Sequence, residues 1–166
     1  MARRSLLIVY HTMTGGTLQM ARAAADGAAL DGSIEVRLLH APDAGAADDV
    51  LAADGFVFAT PENLAAISGI MKDFFDRSYY GVLDRVNGRP YASLICAGSD
   101  GRNAARQIER IATGWRLRAI AEPLIVCVHA QAPQDILHAK VIGADDLGRC
   151  SEAGAAFAAG LSIGVF

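Results

Sequence analysis

The sequence predicts an α/β protein built on one doubly wound, five-stranded parallel sheet with helices on both faces. Two observations predict it. Short, nearly uninterrupted apolar runs alternate five times with segments of helical periodicity. The loops that follow the most apolar runs are made of Gly and small polar residues, at the strand ends where open parallel sheets hold their ligands. A length of 166 residues fits one domain, residues 1–166, with a sizeable core.

SLLIVYH at 5–11 is apolar throughout, as a parallel strand covered on both faces should be. LQMARAAADGAAL at 18–30 spaces Leu18, Ala21, Ala25 and Ala28 as a helix does. IEVRLLH at 34–40 sets Ile34, Val36 and Leu38 against Glu35 and Arg37, the alternation of an edge strand. A short helix is expected at 45–54 and a second buried strand, GFVFAT, at 55–60. SGIMKDFFDRSYYGVL reads as a helix with Ile70, Phe74 and Phe75 inward and Lys72, Asp73, Asp76 and Arg77 outward. YASLICAG at 91–98 is the third buried strand, followed by the charged amphipathic helix GRNAARQIERIATGW. EPLIVCVHA at 122–130 is the last strand, QAPQDILHAKVIG is expected to be irregular, and DDLGRCSEAGAAFAAG closes as a helix.

Composition narrows the function classes. Hydrophobic residues make up 52% and charged residues 20%, the profile of a globular chain, and a net charge of −3 gives no nucleic-acid footprint. Cys96, Cys127 and Cys150 are too widely spaced for a zinc knuckle, and no metal site is expected. An odd count also argues against a disulfide framework, so reduced thiols in a cytoplasmic protein are the reading. The apolar run near the start is too short for a signal peptide and no cleavage pattern follows, and no segment is long enough to span a membrane.

Three loops then carry the function. TMTGGT at 12–17 joins a buried strand directly to a helix and holds no Lys or Arg. Its hydroxyls and backbone N–H groups at a helix N-terminus suit a phosphate group, and Gly15 and Gly16 allow a close approach. Neither GxxxxGK[ST] nor GxGxxG is present, so the usual nucleotide loops do not apply. A plainer alternative is that Thr and Gly only cap the helix. Thr60-Pro61-Glu62-Asn63-Leu64 leaves the second buried strand; taken alone, it reads as a turn before a helix capped at Ser68. Ala97-Gly98-Ser99-Asp100-Gly101 leaves the third, and its glycines allow a flat ring near the backbone. Cys96 to Arg102 also has the C-x5-R spacing of thiolate phosphatases, with Asn103 where such enzymes carry Ser or Thr.

Taken together and in order, the three loops resemble the flavodoxin superfamily. TMTGGT resembles its [ST]-x-T-G-x-T FMN-phosphate loop; PEN…SGIMKDFFDRSYY resembles the P-x-x…SG-x-[ML]-K-x-F-[FIL]-D segment of its NAD(P)H-dependent oxidoreductases; CAGSDG resembles the loop beside the pyrimidine end of the flavin. The resemblance implies a three-layer sandwich with strand order 2-1-3-4-5. It further implies that Thr12, Met13, Thr14, Gly15, Gly16 and Thr17 surround the FMN phosphate. Pro61, Glu62, Asn63 and Leu64 would border the isoalloxazine, and Gly98, Ser99, Asp100 and Gly101 would close its far side. Relatives often read PENFGYMSG where this chain reads PENLAAISG.

Flavodoxins proper carry electrons; they are strongly acidic and flank their flavin with aromatic rings. This chain is mildly acidic, and neither 61–67 nor 97–103 contains Trp, Tyr or Phe. The expected function is therefore an FMN-dependent oxidoreductase, with NAD(P)H as co-substrate and a quinone or similar acceptor. A non-enzymatic electron carrier, docking on a redox partner protein, is the alternative, and a thiolate phosphatase using Cys96 and Arg102 is the third reading. Direct hydride transfer requires no catalytic side chain, and none is named. Arg102, Arg106 and Arg110 read as a solvated helix face, His11 as a packed histidine and Trp115 as core; His129 and His138 lie near the fifth strand without an assigned role. EPLIVCV is unusually apolar for a sheet edge, so either the segment 131–143 or a second subunit is expected to cover it, making a homo-oligomer possible.

Overall fold

The computed structural model describes residues 3–166; Met1 and Ala2, the start of the stretch weighed above as a leader, lie outside it. The chain runs β1 (Ser5–Tyr10), α1 (Gly16–Ala29), β2 (Glu35–His40), α2 (Ala46–Leu51), β3 (Gly55–Asn63), β4 (Ala66–Ile67), α3 (Gly69–Val82), β5 (Pro90–Ala97), α4 (Arg102–Gly114), β6 (Arg118–Ala119), β7 (Leu124–Cys127), α5 (Pro133–Leu137) and α6 (Ala144–Ile163).

β1 lies inside the sheet, parallel to β2 on one side and β3 on the other, and β5 follows β3. Leu6, Leu7, Ile8 and Val9 are fully buried, since helices cover both faces of the strand. The fifth strand is broken. β6 pairs with the start of β5 (Pro90 with Arg118) and β7 with its end (Leu94 with Leu124). Pro123 stands in the gap, with no N–H to give a ladder. Counted as one interrupted strand, β6 and β7 complete the 2-1-3-4-5 order.

Alternating side chains split the core in two. Leu7, Phe56, Phe58 and Ile95 face α2, α3 and α4; Leu6, Ile8, Val57 and Leu94 face α1 and α6. Phe58 centres the first half, edge-on to Phe75 (centroids 4.9 Å apart) and Trp115 (6.1 Å), so Trp115 is core as expected. In the second half, α1 and α6 approach until their backbones touch. A Cβ at Gly27 would overlap the Ser151 carbonyl, and one at Gly154 would overlap that of Ala24.

Three local expectations are corrected. Ile70 is 41% exposed, and Met71 takes the inward position beside Phe74 and Phe75. The segment expected to be irregular holds the short helix α5, opened by Pro133. Pro61-Glu62-Asn63 is strand, not turn: β3 continues through it and returns as β4, pairing Glu62 with Ile67 and Asn63 with Ala66. The turn is Leu64-Ala65, with φ of 50° and 61°. Positive φ at both central residues is the twist-matched hairpin geometry that ordinarily selects Asn-Gly.

Candidate functional site

At the C-terminal ends of β1, β3 and β5 the structure encloses a cavity of about 540 Å³. That volume lies in the range of cofactor sites. From the first loop, Thr12, Met13, Thr14, Gly16 and Thr17 line it; from the second, Pro61, Glu62, Asn63 and Leu64; from the third, Gly98 and Ser99. Gly15, Asp100 and Gly101, expected at the site, do not line it; Gly15 and Gly101 are the N-caps of α1 and α4.

The first loop leads into a helix start that presents unpaired donors. Gly15, at φ 89°, caps α1 and gives its N–H to Thr12 Oγ1 at 3.0 Å. The next N–H groups, at the start of the 14-residue α1, are the ones a helix leaves without internal acceptors. Thr17 Oγ1 is buried and has no hydrogen-bond partner among the described residues. It stands beside the Cys96 thiol without closing a hydrogen bond of ordinary geometry. A buried hydroxyl without a partner, at the positive end of a helix, fits an anionic oxygen.

The second and third loops are tied to each other. Glu62 Oε2 accepts the Gly101 N–H at 2.9 Å. The β3–β4 hairpin is also pinned to α4: Gln107 Oε1 accepts the Ile67 N–H at 2.9 Å and Asn103 Nδ2 donates to the Ala65 carbonyl at 2.5 Å. Gly101, at φ 80°, sits so close to β7 that a Cβ would stand 2.7 Å from Ile125 Cγ2. Beneath the hairpin, Ser68 caps α3, accepting the Met71 N–H at 3.1 Å, as its position before that helix suggested. Ser68 Oγ also shares a 2.9 Å hydrogen bond with His11 Nδ1. Burial, aided by the neighbouring His40, lowers the His11 pKa. His11 is thus a packed histidine linking the end of β1 to α3.

The phosphatase arrangement does not form. Cys96 lies within β5, and burial pushes its thiol up to about 11, against the opposing charge of Lys140. Arg102 is turned to solvent, 2.5 Å from Asp100. Arg106 donates to Asn103 on its own helix at 3.0 Å, and neither Arg106 nor Arg110 lines the cavity.

The fourth wall was missed by reasoning from sequence. Val128, Ala130, Ile136, Leu137 and Lys140 close the cavity from the far side. The segment after β7 crosses to the first loop, where the Lys140 N–H donates to the Thr14 carbonyl at 2.8 Å. The Gln19 side chain holds it there, donating to the Lys140 carbonyl at 2.7 Å and accepting the Ile142 N–H at 3.0 Å. Either this segment or a second subunit was expected to cover the outer edge of β7; outside itself, the segment's hydrogen bonds go to the first loop and α1. No strand pairs with that edge among the described residues. His129 does not line the cavity; His138 contributes its carbonyl to Lys140.

Residues 40–132, more than half of the chain, match the model of the NADPH-dependent FMN reductase family. The chain belongs to that family. A flavodoxin of Aquifex aeolicus is 37% identical over 97 residues, covering 58% of this chain and 51% of that protein. An NAD(P)H dehydrogenase (quinone) of Acidithiobacillus ferrooxidans is 29% identical over 92 residues, covering 44% and 46%. The chain spans about half the length of these relatives. Among solved structures, an archaeal flavodoxin superposes with a TM-score of 0.77 at 17% identity, over 95% of this chain and 98% of that one. Oxidised Flavodoxin 1 from Bacillus cereus gives 0.74 at 18%, over 92% and 96%. The fold is flavodoxin-like. The FMN reductase match covers the second and third loops; the phosphate loop and Lys140 lie outside it. The residues present fit FMN: helix N-terminal donors with a partnerless buried hydroxyl at the first loop, and mostly small or aliphatic residues along the rest, interrupted by Glu62, Asn63 and Lys140. Among the described residues, no helix is long and apolar enough to cross a membrane.

Proposed function

We propose that the protein is a single-domain FMN oxidoreductase that takes electrons from NAD(P)H and passes them to a quinone or similar acceptor. One observation carries this reading: the cavity joins a helix N-terminus bearing a partnerless buried hydroxyl to an open chamber that no aromatic side chain lines among the described residues. FMN, when bound, supplies the two-electron chemistry. The chain's own residues bind, orient and expose it. Thr12, Thr14, Gly16 and Thr17 present donors to the phosphate. Pro61, Glu62, Asn63 and Leu64 form one wall of the ring chamber, and Gly98 and Ser99 form another. The lack of a covering aromatic ring leaves space for a nicotinamide or quinone ring at the flavin. The names of the Acidithiobacillus relative and of the matched family support the donor and acceptor classes. The three free cysteines accord with a cytoplasmic setting.

The test is a visible spectrum of the purified protein after loading with FMN and removing the excess, repeated under anaerobic NADH or NADPH. Retained flavin that bleaches with nicotinamide, and recovers on adding a quinone, is the expected result. Retained flavin that neither nucleotide bleaches would establish the second reading, an electron carrier docking on a redox partner, which the Aquifex flavodoxin favours. No retained flavin would overturn both.

A further inference from the structure

The phosphate loop contains no cation of its own. A helix N-terminus contributes roughly half an elementary positive charge, against about two negative charges on a phosphate monoester at neutral pH. The fold brings one ammonium to this end. Of the residues lining the cavity only Glu62 and Lys140 are charged, and Glu62 is engaged by Gly101 at the second and third loops. Lys140 instead adjoins the phosphate loop twice. Its N–H is bonded to Thr14, and its Cβ is 3.3 Å from where a Cβ on Gly16 would lie. Its charge is also felt at the Cys96 thiol beneath the loop.

The Lys140 ammonium is held in reserve. Nζ donates to the carbonyls of Asp135 at 2.7 Å, Ile136 at 2.9 Å and His138 at 2.6 Å, closing the C-terminal end of α5. These use all three of its donors. A phosphate oxygen is a stronger acceptor than a neutral carbonyl. One of the three bonds is therefore exchangeable without leaving the ammonium unsatisfied.

We infer that Lys140 is the cation of the phosphate site, trading a carbonyl of α5 for an oxygen of the ligand's phosphomonoester. The inference rests on the FMN reading and deepens it by naming a binding residue far from the loop motif. Its backbone anchors to Thr14 and Gln19 do not involve the side chain, so Lys140→Met leaves those two anchors available.

The experiment titrates FMN and riboflavin, which lacks the phosphate, into wild type and Lys140→Met by flavin fluorescence, at low and high ionic strength. The thermal midpoint of each ligand-free protein is measured alongside. The expected result is a loss of FMN affinity of about 10- to 100-fold, the effect of one hydrogen bond to a charged group. Riboflavin affinity should not change, and the salt dependence of FMN binding should flatten. Lys140→Arg should restore part of the loss. Equal losses for FMN and riboflavin, or no loss for either, would overturn the inference while leaving the flavin reading intact. A wild type that retains neither flavin would overturn the flavin reading itself, and the inference with it. A lowered ligand-free midpoint accompanied by unchanged FMN affinity would reduce Lys140 to a cap of α5.

Discussion

Glu62 and Gly101 lock two cavity-lining loops together. The carboxylate of Glu62, in the strand that overshoots the sheet, accepts the N–H of a left-handed glycine that opens α4. Neither residue makes sense alone: the glycine is needed for its φ of 80°, and the carboxylate for an N–H that the helix itself leaves unpaired.

Glu62→Ala strands the Gly101 N–H and should destabilise the protein by about 1–3 kcal/mol. Flavin affinity should fall with it, because the hairpin and the third loop lose their common tie. Glu62→Gln, which retains an acceptor, should recover most of both. Urea midpoints and a flavin titration check this; an unaltered midpoint for the alanine variant would contradict it.

Gly16 packs its Cα against the Cys96 thiol. An added Cβ would stand 2.7 Å from Sγ, so Gly16→Ala should cost about 1–3 kcal/mol and disturb the first loop. Cys96→Ala removes the colliding atom. The double variant should be more stable than the sum of the two single changes predicts, because the sites are in contact. Strict additivity in a denaturation cycle would show that the two do not compete for space.

The Leu64-Ala65 turn holds two ordinary residues at positive φ, at roughly 1–2 kcal/mol each. Replacing them with Asn-Gly should raise the unfolding midpoint. Flavin binding should weaken or stay the same, because the fully exposed Leu64 side chain beside the cavity is lost. A lower midpoint would mean that the turn is held by contacts other than its own backbone.

His11 titrates below its ordinary value, first because it is buried and second because His40 lies beside it. The folded state favours the neutral ring, so the unfolded chain binds the proton more readily. Stability from this group is complete above about pH 6.5, the unfolded value, and is lost as pH falls through the lowered folded one. Wild type should lose more stability than His11→Gln between neutral and mildly acidic pH. Identical pH profiles for the two would remove His11 from this role.

Much of the fold was legible because buried parallel strands leave a local trace. SLLIVY, GFVFAT and YASLICA are apolar whichever face is considered, and each occupies its expected place. The Ser68 cap was legible for the same reason, since a cap lies within four residues of what it satisfies. Pro61 misled because proline ordinarily ends a strand; here it is the last residue of β3 in register with β5, past the end of the β1 ladder, and the hairpin begins at Glu62. Pro123 was passed over inside an apolar run, although it marks the break between β6 and β7. The far wall of the cavity could not be read from any local pattern. Gln19 and Lys140 are 121 residues apart, and nothing in QAPQDILHAKVIG says that its backbone ends on the first loop and α1.

The backbone contact between α1 and α6 has a consequence for biosynthesis. α1, which follows the first loop, and the glycine that seats it, Gly154, lie far apart in the sequence. A nascent chain still lacking α6 leaves one whole face of α1 and the inner strands open to water. Such long-range closure is slow to form and exposes apolar surface until it does. The first loop and α1 therefore gain their seat only once α6 has been made and has packed against them. Gly154→Ala, which cannot seat α1, should accumulate as an insoluble translation product instead of as a folded, cofactor-free protein.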